Sequence, residues 1–410
     1  MADIIPFKGT LYDPEKIGDI SKVTAPPYDV ISPDEQKALY DSDPRNIIRV
    51  LFGMDMPGDD PKENKYTRAA RSLKEWQGEG ALKKDQEDSI YIYLQGFSIE
   101  GEMKQRLGFI ALLKLEDFDT KTSSVYPHEN TLLAPKEDRS RLINSIEANL
   151  GPIFALFADE DMSIDNILAR ETKSDPIIDI VDLHGIRNKL WRVSDKATTR
   201  EIVRLIKERK LFIADGHHRY EVGLAFSKTK KDPKYGYTLA YFTDLYADGI
   251  VVLPVHRLIS GASKDSLSSL VRDLQNVFSV KKFDSKENAR QFLMDAGKDE
   301  KRFVMYDGNG FTGLKLDKKD SLDVAVLHDF VIAPLQKKIE AGGGKISIDF
   351  TKDMDYAINE VAQGRHSVSM MLNPTKITQI RDMAFAGKRM PQKSTYFYPK
   401  VLTGLVINVF

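Results

Sequence analysis

The chain has 410 residues, 60 Lys and Arg against 61 Asp and Glu, and no cysteine. Its length and its 41% apolar and 30% charged residues describe a soluble globular protein of roughly two or three domains. A formal net charge of −1 argues against coating nucleic acid or an anionic membrane by charge alone, and the lack of cysteine excludes a thiol nucleophile, a disulfide framework, a thiolate zinc site and an iron–sulfur cluster.

The N-terminal MADIIPFKGT has an acid and a proline where a secretory leader needs a basic start and an apolar run, so a cytoplasmic protein is expected. The longest apolar runs, 152–158 and 249–255, are strand-length and far short of the roughly 20 residues that span a bilayer. APPYDVISP at 25–33 is stiffened by its prolines and leads into a helix at 34–40. Two β-rich runs, 90–97 and 106–115, flank a Gly-containing turn and predict a hairpin. Helical spacing follows at 137–150, then strands at 152–158 and 188–193, a helix at 198–210 and a strand at 211–215. Residues 227–234, SKTKKDPK, predict a surface loop.

Beyond about residue 265 the pattern repeats in a second α/β region. Helices are expected at 265–277 and 285–296, a hairpin around 307–310, and one long helix at 322–341 stopped by Gly342–Gly344. Asn373–Pro374 opens a further helix ending at Gly387, and a basic loop leads to a final strand at 401–410. The order of elements predicts an α+β protein with a mixed sheet, divided as residues 1–255 and 256–410, with the C-terminal basic loop and strand able to return to the first domain's site.

The segment richest in chemistry is LFIADGHHRYE, 211–221. A strand runs into Asp215–Gly216 and a helix follows, a geometry that aims backbone N–H groups and the positive end of the helix dipole at whatever lies above the turn. His217, His218 and Arg219 add donors and positive charge there, which is what a phosphate needs. The plainer account is a helix start with a buried histidine pair. A second cluster, YPHENTLLAPKEDRSR at 126–141, offers His128, Glu129 and Arg139: carboxylates for a metal or a proton, basic groups for phosphate. Ordinary ion pairs in a charged first helical turn explain it equally well. A third, KRMPQKSTYFYPK at 388–400, carries Lys393, Ser394 and Thr395, like the end of a phosphate loop but without the glycine-rich approach, so it is not a Walker loop. The rigid N-terminal loop presents Tyr28 and Asp29.

Taken together, APPYDVIS, HENTLLAPKEDR, ADGHHRYE, LPVHR and MPQKSTYFYPK resemble the bacterial and archaeal family called domain of unknown function 1015, from about Ile5 to the C-terminus. The DGHHR turn is in addition similar to the ParB/sulfiredoxin superfamily, whose members bind nucleotide phosphates at such a helix start. Sulfiredoxin has a cysteine where His217 stands, so sulfinic-acid repair is excluded. ParB is a CTP-dependent DNA clamp, but no helix-turn-helix with a basic face is evident here. The branch that remains includes free serine kinases.

These resemblances imply a ParB/sulfiredoxin-like first domain and a nucleotide-dependent phosphotransferase acting on a small hydroxylated metabolite, with free L-serine as the first candidate. Asp215, Gly216, His217, His218 and Arg219 would hold ATP or another phosphoryl donor, with Arg139, Lys393, Ser394 and Thr395 as further phosphate contacts. Asp29, Glu129, His128 and His217 are the catalytic candidates, and Asp215 and Glu129 the candidate ligands of Mg²⁺. The alternatives are a nucleotide-gated binding or partition protein and a phosphomonoester hydrolase at the same site. Nucleic acid and membrane are not expected as partners; a homo-oligomer is compatible with the sequence.

Overall fold

The computed structural model describes residues 1–119, 122–131, 133–297, 299–317, 321–391 and 393–410. The chain forms two compact units: Met1–Val251 with Ala384–Gly387 and Pro399–Phe410, and Val252–Met383 with Lys388–Tyr398. The architecture is α+β with a mixed sheet in the first unit.

That sheet has nine strands. At its centre is the expected hairpin, Ile90–Ile99 with Glu102–Lys114, turned at Glu100 and Gly101, which both have positive φ. Strand Ile153–Phe157 runs parallel to Tyr237–Asp244 and antiparallel to Leu211–Asp215. Its five residues, IFALF, are all buried. A strand covered on both faces has no polar side to alternate with, which is why this run is continuously apolar. One face carries Phe109, Ala111, Ile153, Ala155, Phe157, Ile213 and Phe242, packed by Ile164 and Leu168 of helix Ser163–Glu171 and Ile202 and Ile206 of helix Lys196–Lys207.

The second unit holds a six-stranded sheet in which every pairing is antiparallel. Helices Lys286–Met294 and Met354–Ala362 supply Ala289, Leu293 and Met354 to a cluster with Val304 and Met371 of the sheet. The outer strands Ser279–Phe283 and Ser347–Thr351 are mostly exposed. Lys281 and Lys282 on one of them blunt an edge that could otherwise recruit another strand.

Three expected elements come out differently. The long helix at 322–341 is a composite: helix Asp323–Leu327, a π-helical turn His328–Ile332, then helix Ala333–Ala341. Pro334 has no N–H to give to the previous turn, and the wider turn absorbs that loss. The helix expected from Asn373–Pro374 begins only at Ile377 and ends at Phe385. The final strand shrinks to Asn408–Val409, paired with Ala148–Asn149, and the tail before it makes single bridges through Thr403 to Ala25 and through Ile407 to Thr10.

Candidate functional site

Strand Leu211–Asp215 passes into helix His217–Lys230 through Gly216, whose φ is +91°. A Cβ there would lie 3.0 Å from both the Arg219 guanidinium and Ile153, so only glycine fits this turn without strain. The register slips between Ile213 and Asp215, a bulge that re-aims the end of the strand. Gly216 brings no side chain to cap the helix, whereas helices Pro33–Ser42, Lys65–Gly78 and Lys196–Lys207 of the same unit are capped by Ser32, Asn64 and Asp195. The first-turn N–H groups of a helix have no carbonyl partner within it.

Arg219 reaches back to Asp215, Nη2 to Oδ2 at 2.7 Å, and Nη1 donates to the Pro152 carbonyl at 2.6 Å. The other oxygen of Asp215 accepts from Lys400 Nζ, 185 residues away. Lys400 is held in turn: its carbonyl accepts from Gln95 Nε2 at 3.0 Å, and Arg106 donates to Gln95 Oε1 and, at 2.6 Å, to the Pro399 carbonyl. Arg106 is fully buried over the Phe154 ring, and burial lowers its pKa. Its charge also acts on Asp215. Three cations therefore bear on one carboxylate.

The histidines take the plainer of the two roles. His128 is fully buried, and burial lowers its pKa to about 4. Its Nδ1 lies 2.6 Å from the Ile213 carbonyl and so carries the hydrogen. The His128 backbone N–H donates to His217 Nε2 at 3.3 Å, and the two rings meet edge to face at 4.6 Å. His217 is thus turned into the protein with a lone pair already engaged. The contact between these two residues ties the segment around His128 to the helix start. Glu221 Oε2 is met at 2.6 Å both by Thr131 and by Lys136 of helix Leu133–Ile146. His218 is only partly buried, and Glu129 lies half-buried in this loop.

Arg139, expected as a phosphate clamp, is instead spent on the N-terminal loop. Its Nε and Nη2 donate to Asp138, its Nη1 to the Leu51 carbonyl at 2.7 Å, and its face covers the Tyr28 ring at 4.1 Å. Asp29, next to Tyr28, is exposed. Lys393, Ser394 and Thr395 belong to the second unit. There the Ser394 hydroxyl donates to the Pro391 carbonyl, the Ser394 carbonyl accepts from Thr375, and a strand follows instead of a helix. Ser394 thus closes a local turn.

Of the two expected Mg²⁺ ligands, Asp215 is shared by Arg219 and Lys400, and among the described residues no group of three or more His, Asp or Glu is placed to hold a metal. Sequence reasoning missed Lys400 and Arg106. Lys400 closes a basic motif, a weak signal; Arg106 sits in a strand and shows none. Along helix His217–Lys230 lies a cavity of about 480 Å³ lined by Lys136, Ser140, Arg141, Glu221 and Val222 among others. No helix among the described residues is long and apolar enough to cross a membrane.

Residues 4–339 match the family described as "Protein of unknown function (DUF1015)". The chain belongs to that family. No curated protein matches it in sequence. Among solved structures it is similar to a conserved hypothetical protein from Pyrococcus furiosus, at 10% identity and a TM-score of 0.37, over 70% of this chain and 94% of that one. A free serine kinase in complex with AMP shares 12% identity at a TM-score of 0.38, over 69% of this chain and 87% of that one. SbnI from Staphylococcus aureus, truncated at its C-terminus, shares 11% at 0.36, over 72% and 85%.

Proposed function

We propose that the first unit binds the phosphates of a nucleotide at the start of helix His217–Lys230 and transfers a phosphoryl group to a small hydroxylated metabolite, with L-serine the first to test. The observation that carries this reading is the gathering of positive charge at a helix that starts on a glycine. Arg106, Arg219 and Lys400 all bear on Asp215, and the helix dipole adds about half a charge of the same sign. An anion there would gain the pull of the dipole and a hydrogen bond from Arg219.

The nucleotide would supply the phosphoryl group; the chain's own residues position it. Gly216 lets the backbone come close, Arg219 and Lys400 neutralise oxygen charge, and Asp215 keeps both cations aimed at one place. Positioning and charge neutralisation are most of what phosphoryl transfer requires. Asp29 and Glu129 remain the candidate bases for the acceptor's hydroxyl, because His128 is held neutral in the core and His217 is engaged with it. The cavity along the same helix, with Arg141 and Lys136 beside Glu221, suits an acceptor carrying both charges.

Phosphorus NMR on the purified chain tests this, with ATP, ADP, CTP or pyrophosphate as donor, with and without Mg²⁺ and L-serine, and with O-phosphoserine alone. A serine-dependent phosphomonoester signal is expected, and Arg219→Ala should weaken donor binding about 10- to 100-fold, the loss of a hydrogen bond to a charged group. Phosphate released from phosphoserine without a nucleotide would replace the kinase reading with the hydrolase. Nucleotide binding without turnover, joined to steeply salt-dependent DNA affinity, would replace it with the gated clamp. If no donor binds, the site assignment fails.

A further inference from the structure

One row of side chains in the first unit is polar where an apolar row would pack as well. Asn188, Gln95 and Arg106 stand directly opposite one another on three neighbouring strands, Arg187–Val193, Ile90–Ile99 and Glu102–Lys114, and all three are fully buried. The other face of the same strands carries Ile92, Leu94, Leu107, Phe109 and Trp191 into the apolar core. Burying a guanidinium and two amides is costly unless each is satisfied, and apolar residues of similar volume are often no less stabilising. The row calls for a purpose beyond packing.

Its hydrogen bonds lead to one place. The Tyr93 hydroxyl and Gln95 Nε2 donate to Asn188 Oδ1, and Asn188 Nδ2 donates to the Ile186 carbonyl at 2.8 Å and to Asp182 at 3.1 Å. Gln95 Nε2 also donates to the Lys400 carbonyl at 3.0 Å, while Arg106 Nη2 donates to Gln95 Oε1 and, at 2.6 Å, to the Pro399 carbonyl. The Phe154 ring lies 4.6 Å from the guanidinium and backs it. Pro399 has no N–H and Lys400 belongs to no strand, so no ladder of backbone bonds places this stretch. Two side chains take that part. The residue they deliver is Lys400, whose Nζ meets Asp215 while Arg219 holds the same carboxylate at 2.7 Å.

We infer that Gln95 and Arg106 are positioning residues: they hold the main chain at Pro399–Lys400 so that the Lys400 ammonium stays on Asp215, one residue before Gly216, where it meets the phosphate of the ligand. This rests on the anion site proposed above. A lysine stem has several rotatable bonds, and holding its ammonium in one place costs entropy. Fixing the two carbonyls that flank the Lys400 backbone removes part of that cost before a ligand arrives. It also accounts for a charged row being buried where the sheet needs none for its core.

Two variants that leave the formal charge unchanged test this in the full chain. Gln95→Met fills similar space without a donor or an acceptor, and Arg106→Lys keeps a cation that ends an atom short of Nη2. Each is titrated calorimetrically with inorganic pyrophosphate in the wild-type and Lys400→Met backgrounds. Acetylation of Lys400 by acetic anhydride, relative to the other lysines of the first unit, is timed by mass spectrometry without ligand. Each variant should weaken pyrophosphate binding about 3- to 10-fold, the worth of an ordinary hydrogen bond, add nothing in the Lys400→Met background, and speed the acetylation of Lys400. A merely structural role would give the same loss in both backgrounds with no change in the relative acetylation of Lys400, and that result overturns the inference. Should Gln95→Met not fold, Arg106→Lys carries the test alone. If both variants bind as wild type does while Lys400→Met is weakened, the positioning role falls and the anion site stands. If wild type binds no pyrophosphate, both fall.

Discussion

Three helices of the second unit begin differently from the one that carries the site. Lys264–Leu274, Lys286–Met294 and Met354–Ala362 are capped by Ser263, Ser285 and Asp353, whose side chains accept from the first turn. Helix His217–Lys230 begins on a glycine in the left-handed region with no capping side chain. Both units bury charge: the first holds Arg106, Arg139 and His128, the second His256, Arg257, Lys301 and Glu360. A helix that starts on a glycine, with cations around it, lacks the stabilisation a capping side chain gives, and under the proposed function an anion would supply it.

Three sets of variants would break or sharpen this contrast. The largest effect is expected from glycines packed inside each sheet. A Cβ at Gly108 would come within 2.2 Å of the Phe242 carbonyl and 2.7 Å of the Tyr241 ring. The backbone cannot yield, so Gly108→Ala should cost about 3 kcal/mol or more. At Gly313 the nearest atoms belong to the rings of Phe283 and Phe292, at 2.6 and 2.8 Å, which can turn aside, and Gly313→Ala should cost about 1–2 kcal/mol. Trp76 and Trp191 both lie in the first unit, so their fluorescence in urea reports that unit while circular dichroism reports both. Equal losses for the two variants would contradict the packing argument.

Next come two buried histidines, one in each unit. Burial lowers both His128 and His256 from the usual 6.5 to about 4. Below the ordinary value the unfolded chain takes up a proton that the folded chain refuses until about pH 4. Stability is therefore lost as pH falls through that window, by up to about 1.4 kcal/mol per pH unit for each ring and on the order of 3 kcal/mol in total for each. Unfolding in urea at pH 7.5, 5.5 and 4.5 measures this. His128→Asn should flatten the slope seen by tryptophan fluorescence, and His256→Asn the slope of the remaining dichroism signal. An unchanged slope in either variant removes that histidine from the account.

The smallest effects concern the helix starts themselves. Ser263→Ala should cost about 1 kcal/mol, the usual worth of a cap, and leave pyrophosphate binding untouched. Gly216→Ala should cost about 1–2 kcal/mol through its left-handed backbone. It should also abolish pyrophosphate binding, because the new Cβ meets the Arg219 guanidinium at 3.0 Å. If both variants lost stability alone, the two helix starts would differ in sequence but not in purpose.

Much of the framework was legible from residues close together in the chain. The hairpin 90–115, the all-apolar strand at 153–157 and the turn at Gly216 depend on side chains within a few positions of each other, so pattern and turn chemistry suffice. The composite helix at 323–341 was partly legible, since Pro334 lies in plain view; whether it would end the helix or widen one turn depended on what packs around it. The final strand was misread because an apolar run such as 401–407 can be buried while pairing only through single bridges, here at Thr403 and Ile407.

By itself the sequence determined the class of elements, the strand–glycine–helix turn and the presence of basic and acidic residues near it, all local matters of periodicity, propensity and backbone freedom. Tertiary structure alone decided what each charged or aromatic side chain does. Lys400 meets Asp215 across 185 residues, the Arg139 guanidinium covers the Tyr28 ring, and the rings of His128 and His217 meet edge to face. The reason is physical: a side chain's charge state and free hydrogen-bonding capacity are set by what desolvates and pairs it, and those neighbours come from distant parts of the chain.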